Sequence, residues 1–247
     1  MRAILLSAGV GSRLMPLTRN TPKSLIDIGG GYTLLERQLK ALIDGGIDHV
    51  SIVTGYKSRQ IEAKVADLSS PKIEIVFNPF YQLANNSVSA WFGLRGRTED
   101  VMLINGDDIF SSRIIERLRT SNCEIGMAVS FKTLYDDDDM KVTIREGTVV
   151  DVRKTISPDC TDAESIGMTV YRGRGLRSMQ EQLRLMMEDE PAHQLFYLEA
   201  LRNAAADGQA IEPIECAADE WAEIDFHPDL EFAKSVVART TVINETP

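Results

Sequence analysis

The chain has 247 residues, of which 43% are hydrophobic and 26% are charged, and its formal net charge is −10. This length and composition suit one large α/β domain with a sizeable core, at most with a small appendage. The acidic balance argues against a nucleic-acid partner, and no apolar run approaches the roughly 18 residues of a membrane span.

Cysteine usage and the N-terminus bear on the cellular compartment. The three cysteines are far apart and lack C-x-x-C spacing, which predicts free thiols in a reducing cytoplasm. The first apolar run follows Met1-Arg2 directly, so we expect no signal peptide.

The first element is a short strand that opens into a basic, glycine-containing loop. An apolar run at residues 4–6 predicts a buried strand, and the segment that follows stays irregular to about residue 25. The loop contains no acid and three cations, Arg13, Arg19 and Lys23. Glycines let backbone N–H groups close on a phosphate, and the cations neutralise its charge. The loop therefore predicts a polyphosphate site, with a solvated surface loop as the alternative.

Two common glycine-loop motifs do not fit this segment. The dinucleotide fingerprint G-x-G-x-x-G matches at Gly9 and Gly11 but has Leu14 in the third glycine position. The P-loop requires glycine directly before Lys-Ser, whereas Pro22 precedes Lys23 here.

Strands and helices alternate at short intervals through the first half of the chain. Thr33 and Glu36 have the spacing of a capping box, and Gly45-Gly46 ends the helix that they open. Further strands are predicted at residues 50–54, 73–77 and 101–104, and further helices at 58–68 and 88–95. Such alternation indicates parallel strands with helices on both faces of the sheet.

The pattern is less regular after Phe110. Strands are predicted at residues 125–131, 166–171 and 211–214, helices at 176–188, 194–206 and 228–237, and a hairpin around Glu146-Gly147 that joins 141–144 to 149–152. We find no linker, so we expect a single domain over residues 1–247 with a hairpin or lid insertion around 132–165.

A pair of acids follows the fourth predicted strand. Asp107 and Asp108 lie in the segment Asn-Gly-Asp-Asp, where ligands of open α/β sheets bind, outside the carboxyl ends of the strands. Carboxylates there suit a hard divalent cation. An Asp- and Gly-rich turn is the alternative.

The loop resembles the signature of the sugar-nucleotidyltransferase superfamily, A-G-x-G-x-R-L-x-P-L-T followed by P-K-x-L, which matches from Ala8 to Leu25. The resemblance implies a loop that wraps the triphosphate of an NTP, with Arg13 and Lys23 as the catalytic cations. The implied nucleotide-binding residues of this segment are Leu6, Ala8, Gly9, Gly11 and Ser12.

The same resemblance implies a magnesium site. The family segment G-D-x-x-F places Asp107 in a ligand position, and the late segment W-x-E-I-D places Asp225 in the other. This chain differs from many relatives at Asn105, where they have an acid, and at Phe226, where they have threonine.

Other segments resemble the bacterial choline-phosphate cytidylyltransferases. The segment N-P…N-N-x-x-S is present, and it implies that Asn85, Asn86 and Ser89 bind the cytosine or ribose; turn-forming asparagines are the alternative. Lys154 occupies the position of a lysine that binds the acceptor phosphate in relatives, and Lys141 and Glu164 belong to further matching segments.

We expect the remaining acceptor site to combine aromatic faces with negative charge, which suits an amine or a quaternary ammonium group. The candidate residues are Trp91, Tyr135, Trp221 and Glu223, joined by Tyr81, Phe131 and the run Asp136–Asp139. For the aromatic residues a place in the core is the alternative, and for the acidic run a solvated lid.

Together these features predict an α/β protein with a Rossmann-like, doubly wound sheet that is mixed but mainly parallel, with helices on both faces. The predicted activity is Mg²⁺-dependent transfer of CMP from CTP to a small phosphate or phosphonate acceptor, first phosphocholine and then 2-aminoethylphosphonate. A sugar-1-phosphate nucleotidyltransferase that uses UTP or dTTP and a non-catalytic nucleotide sensor are the alternatives. We expect no nucleic-acid or membrane partner, and either a monomer or a homodimer.

Overall fold

A computed structural model describes residues 1–230. The strands are β1 (Arg2–Ser7), β2 (His49–Thr54), β3 (Lys72–Phe77), β4 (Val101–Asn105), β5 (Asp108–Phe110), β6 (Ile125–Ser130), β7 (Lys141–Arg145), β8 (Thr148–Val152), β9 (Ala163–Tyr171), β10 (Glu212–Glu215) and β11 (Trp221–Glu223). The α-helices are α1 (Leu34–Asp44), α2 (Ser58–Val65), α3 (Asn86–Leu94), α4 (Ser112–Thr120), α5 (Gly173–Glu188) and α6 (Leu198–Ala206).

The predicted fold class is confirmed. The central sheet has the order β10-β6-β9-β4-β1-β2-β3. β1 is parallel to both β2 and β4, whereas β9 runs antiparallel to β4 and β6. The hairpin β7-β8 extends from β9, and a separate small sheet pairs β5 with β11.

The core lies on both faces of this sheet because side chains alternate along each strand. Ile4 of β1 packs on the face covered by α3, α5 and α6. Its neighbours Ala3 and Leu5 pack on the opposite face, against α1, α2 and α4. Both faces of β1 and β4 are therefore buried, which explains their uninterrupted apolar runs.

Several predicted boundaries differ from the structure. The capping box of Thr33 and Glu36 is present, and the helix predicted at residues 58–68 ends earlier, at Val65. Helix α3 begins at Asn86, two residues earlier than predicted, because the Asn85 side chain caps it. The predicted helix at 194–206 begins only at Leu198, after a 3-10 turn.

Helix α4 and the small sheet of β5 and β11 were not predicted from the sequence. Helix α4 is short, nine residues, and buries Ile114, Ile115 and Leu118 on one face. Strands of three residues are too short to show a period. Of the last predicted helix, residues 227–230 are helical, and Glu231 and the rest lie outside the described residues.

None of the helices within residues 1–230 is both long enough and apolar enough to cross a membrane.

Candidate functional site

Two adjoining cavities open where β1 and β4 end. The larger has a volume of about 320 Å³ and the smaller about 230 Å³. They share Leu6, Gly9, Arg13, Gly106, Asp107 and Asp225. The position matches the rule that ligands of open α/β sheets bind at the carboxyl ends of parallel strands.

The basic loop after β1 forms one wall of these cavities and contains three short 3-10 turns. Gly11 has φ 66, the left-handed region that favours glycine, and its carbonyl accepts a hydrogen bond of 2.8 Å from Thr18 Oγ1. The Tyr56 hydroxyl donates to the carbonyl oxygen of Arg19 at 2.6 Å, and it lies 3.1 Å from the carbonyl oxygen of Thr18. These bonds fix the loop without any regular secondary structure.

Lys23 lies between the two predicted metal ligands of the site, Asp107 and Asp225, and contacts both. Its Nζ donates to Asp107 Oδ2 at 3.1 Å and to Asp225 Oδ1 at 2.7 Å, and its side chain is only 13% exposed. Burial alone would lower the pKa of Lys23, but the negative charges of Asp107 and Asp225 outweigh it, so the pKa is raised. Lys23 is therefore a firmly charged ammonium group.

Arg13 adds a second cation. Its Nη1 donates to Asp225 Oδ2 at 2.6 Å. Although desolvation works in the opposite direction, Lys23 and Arg13 together hold the pKa of Asp225 below its usual value. Asp225 is thus an ionised carboxylate in contact with both cations of the loop.

The small sheet brings Asp225 to Asp107 across more than a hundred residues of chain. Antiparallel pairing aligns Glu223 of β11 with Asp108 of β5. Immediately after the pair, Ile224 N donates to the carbonyl oxygen of Asp107 at 3.1 Å. Asp229 accepts hydrogen bonds from the backbone N–H groups of Asp225 and Phe226, at 2.9 Å and 2.6 Å. Asp229 thus fixes the turn and lines neither cavity.

Glu223, predicted to bind substrate, lies with the two predicted metal ligands. One carboxylate oxygen from each of Asp107, Glu223 and Asp225 lies within 4.8 Å of the others. Desolvation of its carboxyl group, together with repulsion from Asp107 and Asp225, raises the pKa of Glu223 to about 8. Asp107 Oδ1 is buried and has no hydrogen-bond partner among the described residues. Crowded, hard oxygen donors of this kind fit Mg²⁺.

Asn85, Asn86 and Ser89 line the larger cavity, at the start of α3. Part of their hydrogen-bonding capacity is used within the protein. Asn85 Oδ1 accepts from the N–H of Asn86 at 2.7 Å, and Asn86 Oδ1 accepts from Tyr197 N at 2.9 Å. Ser89 Oγ accepts from Asn78 Nδ2 at 2.9 Å. These residues join α3 to the segment before α6 as well as lining the cavity.

Lys154 and Glu164 lie on the other side of the larger cavity. Lys154 forms an ion pair with Asp138 and lies 5.8 Å from the centroid of the Phe196 ring. The Glu164 carboxylate contacts Lys132 Nζ at 2.8 Å, and burial raises its pKa to about 7 despite that cation.

The structure does not bring Trp91, Tyr135, Lys141 or Phe131 to either cavity. Trp91 of α3 is partly buried against the core and lies edge-on to the Phe92 ring. The Tyr135 hydroxyl donates to the carbonyl oxygen of Asp162 at 3.0 Å. Lys141 is 3% exposed, and its Nζ donates to the carbonyl oxygen of Lys154 at 2.9 Å, so it can affect the site only through Lys154.

Of the predicted acidic run, Asp138 lines the larger cavity. Several other lining residues were not predicted from the sequence, among them Ala84, Met140, Ser165, Ile166, Gly167, Phe196, Tyr197 and Leu198. Phe196 and Tyr197 provide, with Tyr81 and Trp221, the aromatic faces that were assigned to Trp91 and Tyr135. In the sequence, Phe196 stands near the start of the helix predicted at residues 194–206. Such a position does not by itself indicate a binding site.

Gly106 is the point at which β1 and the turn after β4 come closest. An added Cβ would lie 2.2 Å from the carbonyl oxygen of Leu6, a backbone atom that cannot move aside. We expect Gly106→Ala to lower the unfolding free energy by about 1–3 kcal/mol, since the backbone beside Asp107 must shift. Urea unfolding measures this change, with Gly9→Ala as the control because a Cβ on Gly9 meets no atom within 4 Å. Equal stability of the two variants would contradict the close approach.

Glu164 predicts a dependence of stability on pH. Its pKa of about 7 in the folded protein lies above the usual 4.5, so the folded protein holds a proton that the unfolded chain releases between these values. This contribution is fully present below about pH 4.5 and is lost as the pH rises through about 7. We therefore expect wild type to lose about 1–2 kcal/mol of unfolding free energy relative to Glu164→Gln between pH 5 and pH 8. Urea titrations across this range measure the difference, and exposed Glu116→Gln is the control. A constant difference would contradict the raised pKa.

Comparisons with known proteins find similar proteins over most of the chain. The family model described as nucleotidyl transferase matches residues 2–134. The chain is 26% identical over 234 residues to the 2-aminoethylphosphonate cytidylyltransferase of Lancefieldella rimae, covering 90% of this chain and 87% of the relative. It is 24% identical over 258 residues to the CTP:phosphoglutamine cytidylyltransferase of Campylobacter jejuni, covering 94% and 98%.

A solved structure shares the fold. The CTP:phosphocholine cytidylyltransferase from Streptococcus pneumoniae superposes with a TM-score of 0.77 at 20% sequence identity, covering 96% of this chain and 98% of that one.

Proposed function

The chain belongs to the nucleotidyl transferase family, and from that premise we propose that it is a cytidylyltransferase. It transfers CMP from CTP to the phosphate or phosphonate of a small, amine-bearing acceptor and releases pyrophosphate. The observation that carries the proposal is the contact of Lys23 with Asp107 and Asp225, beside Arg13, in one cavity at the end of β1. Two relatives that match nearly the full length of this chain are named as cytidylyltransferases, which supports CTP as the nucleotide.

The reaction needs positioning and charge stabilisation more than proton transfer. An oxygen of the acceptor attacks the α-phosphorus of CTP in line, and pyrophosphate leaves from the opposite side. A phosphate or phosphonate oxygen is largely ionised near neutral pH, so the attack requires no general base. Lys23 and Arg13 neutralise the charge that builds on the phosphates in the transition state.

Asp107, Asp225 and Glu223 would hold Mg²⁺, because they bring three carboxylates together beside the phosphate loop. The bound ion would supply further positive charge to the triphosphate. Asn85, Asn86 and Ser89 are the proposed contacts for cytosine and ribose, since they line the same cavity as Arg13.

The acceptor binds on the side formed by Lys154, Glu164 and the aromatic residues Tyr81, Phe196, Tyr197 and Trp221. Lys154 would contact the phosphate or phosphonate group, and the aromatic faces and Glu164 would surround the amine. We assign the segment 132–165, which contributes Lys154 and Glu164 to this side, as an insertion within one domain. A sugar would instead need many directional hydrogen-bond partners, whereas this side of the cavity carries several aromatic residues.

Pyrophosphate release tests the nucleotide and the acceptor separately. The purified protein is assayed with each of ATP, GTP, CTP, UTP and dTTP in combination with phosphocholine, 2-aminoethylphosphonate, ethylphosphonate or glucose-1-phosphate. We expect CTP and the two amine-bearing acceptors to give the highest kcat/KM. A tenfold preference for glucose-1-phosphate with UTP or dTTP would establish the sugar-nucleotide alternative. Nucleotide binding without turnover on any acceptor would support a sensor.

A further inference from the structure

The acidic run Asp136–Asp139 divides into distinct roles. Asp136 Oδ1 accepts hydrogen bonds from the backbone N–H groups of Asp138 and Asp139, at 2.8 Å and 3.1 Å, which shapes the turn. The Asp139 carboxylate is nearly buried and contacts Lys132 Nζ at 2.7 Å, which anchors the loop. Asp137 is exposed and forms no ion pair within residues 1–230. Only Asp138 lines the cavity.

The Asp138 carboxylate contacts two cations of the site at once. Its Oδ2 lies 3.4 Å from Arg13 Nη1, and its Oδ1 forms an ion pair with Lys154 Nζ. Arg13 belongs to the loop after β1 and Lys154 to the segment after β8. One carboxylate therefore connects the cation assigned to the triphosphate with the cation assigned to the acceptor.

The contact is of a kind that a phosphate can replace. Asp138 is 49% exposed and lies on a loop rather than on the sheet, so each ion pair is screened by water and weak. A phosphate carries more charge and more acceptor oxygens than a carboxylate, and it can engage a guanidinium group through two parallel hydrogen bonds. Phosphates that contact Arg13 and Lys154 must compete with Asp138 for both.

We propose that Asp138 is a carboxylate stand-in for substrate phosphate: it holds Arg13 and Lys154 in the free protein and leaves them when substrates bind. This inference rests on the proposed function, which assigns Arg13 and Lys154 to phosphates. The contact keeps two cations facing the cavity and prevents their mutual repulsion, and in return it weakens the binding of any anion. Release from one cation also frees the other, so the first substrate prepares the site for the second.

The test is the affinity for inorganic tripolyphosphate, measured by calorimetry with and without Mg²⁺. Asp138→Asn should bind tripolyphosphate about three- to tenfold more tightly than wild type, the range that two exposed ion pairs can supply. Asp137→Asn is the matched control, since it removes the same charge from the same loop, and it should change the affinity by less than about twofold. Equal thermal unfolding of the two variants establishes that both are folded.

Each outcome bears on the inference. Tighter binding by Asp138→Asn alone supports it. Unchanged or weaker binding by that variant, or equal tightening by Asp137→Asn, overturns it and leaves the proposed function standing. If wild type binds tripolyphosphate neither with nor without Mg²⁺, the assignment of Arg13 to phosphate is wrong. Both the proposed function and this inference are then overturned.

Discussion

Lys23→Ala is expected to lower kcat on the order of 10²-fold or more, because it removes a preorganised cation from the developing phosphate charge. The structure strengthens this expectation, since Lys23 is mostly buried and its ammonium is held by Asp107 and Asp225. A group fixed in this way needs no reorganisation during the reaction. Steady-state pyrophosphate release with CTP and the best acceptor measures the effect.

The control for Lys23→Ala is Lys40→Ala, which removes an exposed lysine paired with Asp44 on the surface of α1. A surface pair of this kind contributes little, so this variant should keep the wild-type kcat. We expect Lys23→Ala to remain folded, because Lys23 lies in a loop outside the three hydrophobic clusters. Near-wild-type turnover by folded Lys23→Ala would refute the assignment.

Asp107→Asn and Asp225→Asn are each expected to lower kcat on the order of 10²-fold or more, since each weakens the proposed hold on one Mg²⁺. The double variant should lose little further activity, because residues that serve one ion act as a unit. Both substitutions keep the size of the side chain, so they test the charge rather than the packing. The measurement is kcat as a function of Mg²⁺ concentration.

The control for the aspartate variants is Asp67→Asn, on the exposed segment after α2, which should retain full activity. A requirement for higher Mg²⁺ in the single variants would agree with a shared ion. Full wild-type activity in EDTA, or losses that multiply in the double variant, would argue against one.

That the cations of the basic loop lie at one end of the sheet was predictable, because the information is local. The glycines, Arg13 and Lys23 lie within one short stretch after a strand, so their chemistry could be read without knowledge of distant contacts. The same holds for the capping box at Thr33, and for the alternation of apolar strands and helices that established the doubly wound sheet.

The acceptor side was less predictable because it depends on which face of an element meets the cavity. Trp91 lies only two residues from Ser89, but it points from α3 towards the core rather than the site. Phe196 and Tyr197 reach the cavity because the segment before α6 is bound to the start of α3 through Asn86. No periodic pattern in the sequence predicts that contact between the segment before α6 and the start of α3.

The basic loop, the capping box at Thr33 and the class of sheet were predictable from the sequence, since each follows from neighbouring residues and the periods of helix and strand. Two further contacts are visible only in the folded protein: Glu223 joins Asp107 and Asp225, and Asp138 is the member of its acidic run that contacts Arg13 and Lys154. The physical reason is that these contacts join residues distant in the chain. The pairing of two three-residue strands and the path of a loop bring them together, and neither leaves a periodic pattern in the sequence.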